Sequence, residues 1–274
     1  MENYDIIIAP KNSIAHYWKE LWKYRELFFF LAVRDIKVQY KQTVIGILWA
    51  VVRPLLTMIV FTIVFGKIAK LPSDGVPYPI LVFSGLLPWQ LFATALQSSS
   101  NSVIGSSHII SKVYFPRIII PSSAILTSLV DFLFSITILA GIMIFYGHFP
   151  GIKILLLPFF ILPALFAALG AGLWLSSLIV KYRDFKYIIP FLLQFGLYIS
   201  PVGFSSTIVP EKYQTLYFLN PMAGIIEGFR WVICGKSDFP YMEGFAISIL
   251  LTTILMVSGF WYFRKTEKSF ADEI

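Results

Sequence analysis

The sequence predicts an all-α polytopic membrane protein: six transmembrane helices, an N-terminal amphipathic interface helix, and short re-entrant helices between spans 5 and 6. Three observations predict it. The 274 residues are 57% hydrophobic and only 14% charged, a balance that soluble domains do not show. Six runs are long and apolar, at residues 45–66, 80–103, 118–146, 152–180, 187–204 and 244–263. A run of about 20 residues, rising ~1.5 Å per residue, crosses a hydrocarbon core of ~30 Å. Finally, Lys and Arg alternate in density between the connecting pieces. With the N-terminus inside, fifteen fall in the inner pieces and six in the outer ones, which orients both termini to the cytoplasm.

Residues 1–44 form a cytoplasmic N-terminal segment, followed by a six-span domain over 45–274. Lys11, His16, Lys19 and several acids interrupt the first 20 residues, so no cleavable leader is expected. Residues 24–43 mix an apolar cluster with Arg25, Arg34, Lys37 and Lys41. They predict an amphipathic helix on the inner membrane surface, either a lipid anchor touching headgroups or a contact for a cytoplasmic partner. The second run ends in Gln97-Ser98-Ser99-Ser100-Asn101-Ser102. Those groups need hydrogen-bond partners, so they face protein or a watery cavity, and the amphipathic stretch 105–117 follows. The third and fourth runs exceed one membrane thickness and must tilt or protrude. Pro54, Pro88, Pro158, Pro163, Pro190 and Pro201 predict kinked helices packed on neighbours.

The one sizeable outer segment is 205–243. Asn220-Pro221 is a helix start signal, an Asn cap followed by Pro at the first helical position. The run beyond it is too short to span and carries Glu227 and Arg230, which predicts a re-entrant or interfacial helix.

Two ionisable residues lie within spans. Arg53 precedes Pro54 near the inner end, where it can snorkel to lipid phosphates or loose carbonyls. Asp131 belongs to a ladder with Ser123, Thr127 and Ser135 at four-residue spacing. The ladder lines a conduit or glues helices together. Aromatic residues make up 17% of the chain. Trp89, Phe92, Tyr187, Phe191, Phe195 and Tyr198 recur at three- and four-residue spacing, which suits either sliding along sugar faces or lipid belts and core packing.

Several function classes are excluded as expectations. Gly235-Lys236-Ser237 lacks the first glycine of a nucleotide-binding loop, since Arg230 holds that position. Any ATP-driven step therefore belongs to another chain. Cys234 is alone and His16, His108 and His148 fall in separate loops, so no disulfide and no metal site are expected. No paired carboxylates point to catalytic residues. The net charge of +7 follows from the inside loops and implies no nucleic-acid partner.

An ordered set of phrases resembles the ABC-2 family of polysaccharide-export permeases, of the O-antigen and teichoic-acid type. They are Arg34-Asp35-Ile36-Lys37-Val38-Gln39-Tyr40 with Thr43 and Gly46, then Trp49 and Arg53-Pro54-Leu55. Phe83-Ser84-Gly85-Leu86-Leu87-Pro88-Trp89, Val113-Tyr114-Phe115-Pro116-Arg117, Tyr182-Arg183-Asp184, Ser200-Pro201-Val202 and Asn220-Pro221-Met222 complete the set. The resemblance implies a homodimer in the bacterial inner membrane, working with two copies of a cytoplasmic ATPase. That partner would hold the ATP and Mg, and this chain would bind no cofactor. The cargo would be a polyprenyl-linked polysaccharide. Ser107, His108, Lys112, Tyr114, Phe115 and Arg117 would then couple to the ATPase, with the surface helix beside them. Arg25, Arg34, Lys37, Lys41 and Arg53 would meet membrane lipids and the carrier headgroup. Asn220, Pro221, Glu227 and Arg230 would belong to gating helices. Trp89, Phe92, Ser123, Thr127, Asp131, Phe191, Phe195 and Tyr198 would line the conduit. Competing expectations are a drug or small-lipid exporter and a membrane-embedded glycan-transferring enzyme. For the enzyme, Asp131, Asp184, Glu211 and Glu227 are too scattered.

Overall fold

A computed structural model describes residues 14–41, 44–73, 75–235 and 241–273. Thr43, Lys11 and the Lys236-Ser237 pair lie outside the described residues. Among the described residues the chain is helical, without strands. In order come α1 (Ile14–Lys23), α2 (Arg25–Tyr40), α3 (Val44–Phe61), a π-helical turn (Thr62–Ile68), α4 (Tyr78–Gly105) and the short α5 (Ser107–Ile110). They continue with α6 (Ile119–Tyr146), a 3-10 turn (Ile152–Leu156), α7 (Leu157–Lys181), α8 (Phe185–Ile199), a 3-10 turn (Ser206–Ile208), α9 (Glu211–Tyr217), α10 (Pro221–Cys234), α11 (Met242–Thr266) and α12 (Phe270–Glu273). Among the described residues, five helical stretches are long and apolar enough to cross a membrane, and α8 is a shorter apolar helix. The chain is a multi-pass membrane protein.

The central pillar is α4. Every residue from Ile80 to Trp89 is buried, Ser84 and Gly85 included, as expected of a helix apolar on all sides. It packs chiefly against α6 and α7, and α7 packs in turn on α11. Small residues allow these approaches, because lipid tails are as apolar as the helices and close backbone packing must supply the attraction. A Cβ on Gly172 would collide with the Ser99 hydroxyl, and one on Gly170 would lie 2.7 Å from the Leu255 carbonyl. The serine-rich end of the second span thus faces protein at Ser99 and Ser100, both fully buried.

Two departures from the expected spans have local causes. The fifth helix stops at Ile199 rather than near 204, because Pro201 follows. Ser200, held at ψ 152°, has the extended backbone that a residue before proline prefers. Pro158 does not kink its helix either, since it lies in the first turn of α7, where its missing N–H costs nothing.

The N-terminal amphipathic helix is α1. Tyr17, Trp18, Leu21 and Trp22 share one face at helical spacing, while Lys19, Glu20 and Lys23 share the other. Within 24–43, by contrast, α2 carries apolar and charged residues around its circumference. Leu31 and Ala32 are buried, while Phe29, Phe30, Val33 and Val38 are exposed. It lies along α6.

A wider side chain at the α7–α11 crossing should be costly. Gly259→Val would force a Cβ into the Gly170 carbonyl and should cost about 1–3 kcal/mol, read as a lowered thermal midpoint in detergent. Gly141→Val, with open space at its Cβ, should leave that midpoint nearly unchanged.

Candidate functional site

Helix α8 has 15 residues, which rise about 22 Å and fall short of a ~30 Å core. The chain then returns as buried, non-helical backbone over Ser200–Gly203. Such backbone is tolerated at membrane depth only where protein satisfies its polar groups. Arg230 of α10, 2% exposed, supplies part of this. Its Nη2 donates to the Val202 carbonyl at 2.7 Å, Nη1 to the Phe204 carbonyl at 2.5 Å, and Nε to the Leu81 carbonyl of α4 at 3.2 Å. Glu227 lies one turn earlier on α10. Its Oε1 accepts from Arg230 at 3.2 Å and from the Ser206 amide at 2.9 Å.

Other residues finish the enclosure. The Tyr78 hydroxyl donates to the Gly203 carbonyl at 2.7 Å. Asn220 caps α10 by accepting from the Met222 amide at 3.0 Å, and its Nδ2 donates to Ser200 Oγ at 2.8 Å. Pro221 fills the first helical position, and Gly235 ends the helix at φ 71°. Gly85 has no side chain to spare: a Cβ there would lie 2.8 Å from Arg230 Nη2. Nearly all of α10 is buried, packed on α4, α7 and α11, as a re-entrant helix must be.

Between α3, α4, α6 and α8 lies a cavity of ≈ 820 Å³. Its wall combines aromatic faces (Trp49, Trp89, Tyr198) with polar groups (Gln39, Arg53, Gln90, Gln97, Asp131, Gln194). Asp131 is held from α2: Gln39 Nε2 donates to both carboxylate oxygens at 3.2 Å and the Tyr40 hydroxyl donates to Oδ1. Trp89 reaches this wall because α8 offers Gly196 against its ring, where a Cβ would lie 2.6 Å away.

The expected conduit residues therefore divide. Trp89, Asp131 and Tyr198 line the cavity together, with Arg53. Phe92 rests against Trp89, centroids 5.5 Å apart. Phe191 and Phe195 stack on each other on an exposed side of α8. Ser123 and Thr127 are buried and donate to carbonyls of their own helix, Ile120 and Ala124, as hydroxyls in apolar helices do. Of the basic residues near α2, Arg25 bends back on Trp22 and Arg34 pairs with Asp35 at 2.7 Å, whereas Lys37, Lys41 and Arg53 are exposed.

The 105–117 stretch divides as well. His108, Lys112 and Tyr114 are exposed, Tyr114 by 76%, and Ser107 is half-buried. Phe115 turns inward, 3% exposed, into an apolar cluster with Tyr17, Ile110, Phe263 and Phe270. Arg117 donates to the Glu267 carbonyl at the end of α11 and lies beside the Phe270 ring. The same Glu267 accepts from the Tyr17 hydroxyl at 3.2 Å, and Arg264 covers the Tyr17 ring at 4.1 Å. Trp18 stacks on Phe260. Thus α1, the 105–117 stretch and the end of α11 form one joint. Burial pushes Glu267 up to about 7, against the opposing pull of the Tyr17 hydrogen bond, Arg264 and Arg117.

Sequence inspection alone missed Tyr40, Gln39, Gln90, Gln194 and Glu267. A carboxamide inside an apolar run was the available signal for Gln90 and Gln194; for Glu267, beyond the last span, there was none.

A helical membrane bundle with a polar, aromatic-walled cavity and a buried re-entrant helix defines a permease-type membrane subunit. The chain belongs to the ABC-2 type transporter family, whose model matches residues 26–234. It is 27% identical over 259 residues to the O-antigen export system permease protein RfbA of Myxococcus xanthus, covering 93% of this chain and 98% of that one. The protein of the same name from Klebsiella pneumoniae is 29% identical over 90% of this chain and 94% of its own. The polysialic acid transport protein KpsM of Escherichia coli is 22% identical over 87% and 93%.

Two outcomes follow. Arg230→Met strands Glu227 and three backbone carbonyls and should cost about 3–5 kcal/mol, seen as a lower thermal midpoint and faster proteolysis near residues 200–206. Adding Glu227→Gln should restore part of the loss. For Glu267, the native value near 7 lies above its ordinary 4.5, so the native joint holds an extra proton between them. Its contribution is whole below about 4.5, falls as pH rises, and levels off above about 7. Hydrogen exchange in α1, corrected for intrinsic rate, should accelerate across that window, and Glu267→Gln should flatten the response.

Proposed function

We propose that this chain is the transmembrane subunit of an exporter that moves a lipid-linked polysaccharide across the bacterial inner membrane. It would act as a homodimer with two copies of a separate cytoplasmic ATPase, both termini on the ATPase side. The observation that carries the cargo is the cavity, whose carboxamides and aromatic faces match sugar hydroxyls and sugar ring faces. Relatives named for O-antigen export and polysialic acid transport, aligned over most of their length, support the same reading. The excess of Lys and Arg in the inner pieces supports the orientation.

In this reading His108, Lys112 and Tyr114 meet the ATPase, because they are the exposed members of the 105–117 stretch. Phe115 and Arg117 pass its displacement inward to α1 and α11 through the joint at Glu267. On the same side, α2 ties to the cavity wall at Asp131. Movement of α2 would therefore reposition a residue that faces the cargo. Lys37, Lys41 and Arg53 would attract the anionic carrier headgroup at the inner leaflet.

The direct experiment is reconstitution with the partner ATPase in vesicles loaded with a lipid-linked glycan. ATP-dependent appearance of glycan on the far face is expected; ATP turnover without glycan movement would sink the proposal. In the same vesicles Tyr114→Asp should weaken ATPase association roughly thirtyfold, the scale of an aromatic hot spot near 2 kcal/mol, while leaving the thermal midpoint of the isolated permease unchanged. Unaltered association would remove Tyr114 from the coupling surface.

A further inference from the structure

The charge and hydrogen-bonding state of the cavity wall narrow the cargo further. Among the described residues lining it, Arg53 is the only cation and Asp131 the only anion, so the wall is neutral as a whole. Its polar character comes instead from carboxamides. The side chains of Gln90, Gln97 and Gln194 make no hydrogen bond among the described residues, although each lines the cavity. Gln97 and Gln194 are exposed and Gln90 is half-buried, so all three carboxamides stand open to whatever occupies the cavity.

From this wall we propose that the cavity binds an uncharged stretch of glycan and discriminates against a polymer carrying a negative charge in each repeat. The inference rests on the export reading above. A carboxamide both donates and accepts, as a sugar hydroxyl does, so three free carboxamides fit a neutral sugar without needing a counter-ion. Trp49, Trp89 and Tyr198 supply apolar faces for the sugar rings between them. Asp131 already accepts from Gln39 and Tyr40. Its carboxylate faces the cavity, where every anionic repeat must pass it. One guanidinium, opposed by that carboxylate, is too little to carry a polyanion through low-dielectric surroundings. Gln90, Gln97 and Gln194 are assigned as sugar contacts, and Asp131 as the residue that excludes anions.

The test offers two polymers on the same lipid carrier to the complete permease–ATPase complex in vesicles. One is an uncharged hexose polymer; the other carries a uronic acid in every repeat. The wild-type complex should move the uncharged polymer about tenfold faster, the scale of one unit charge acting across a cavity. Asp131→Asn should narrow the ratio by raising transport of the uronate polymer, and Gln90→Glu should widen it. Equal rates for both polymers in the wild-type complex, or preference for the uronate, would overturn the assignment while leaving export itself standing. Intact ATP turnover with neither polymer moved would overturn the export reading and this inference together.

Discussion

The fold depends on the guanidinium of Arg230. A span that ends at Ile199 leaves the following backbone buried, with carbonyls pointing away from any helix ladder. Arg presents up to five donors in a fixed planar fork, and it cannot shed its charge when buried. A lysine would offer a point charge and fewer directions. Two carbonyls of the return loop, one of α4 and the Glu227 carboxylate share this single fork. The charge of Arg230 is compensated within its own helix, so α10 brings both a neutralised pair and the hydrogen bonds that the return loop lacks. Gly85 in α4 and the glycine-lined approach of α10 then follow from the space that the fork occupies.

From that constraint the cavity takes its shape. The α10 clamp secures the far end of α8, so α8 stands away from α4 at a distance set by Trp89 against Gly196. The opposite wall is built by α4 and α6, which are held by close packing with α7 and α11. Gln90, Gln97 and Gln194 can remain without a hydrogen bond among the described residues because they face a cavity rather than lipid. The same residues on the outer surface of α4 or α8 would carry several kcal/mol of desolvation with nothing in return.

Hydropathy made the spans legible, since runs such as 80–103 and 118–146 differ from soluble sequence by composition alone. The start of α10 was equally plain from Asn220-Pro221. What stayed hidden depended on long-range geometry. Nothing local distinguishes Phe115, which turns into a core, from Tyr114, which does not. Ser123 and Asp131 share a ladder, yet only Asp131 faces the cavity, because the α4–α6 crossing covers the other. The segregated face of α1 was overshadowed by the richer charge of α2, whose residues prove to be spread around the helix. Arg230 and Glu227 were visible as anomalies, charges within an apolar run. Their partners, the carbonyls of Val202 and Phe204, carry no sequence signature at all.

The π-helical turn at the end of α3 has a consequence for the whole bundle. Within one copy, α3 and α8 are mostly exposed, whereas α4 is almost wholly buried. A π-turn adds a residue per turn and loosens the backbone ladder, and here it terminates the less supported wall, where Gly66 lies against the Tyr78 ring. The cavity therefore has unequal walls, with α4 fixed in the core and α3 backed by little protein of its own chain. Displacement of α3 alone would change the bore of the cavity without disturbing the core.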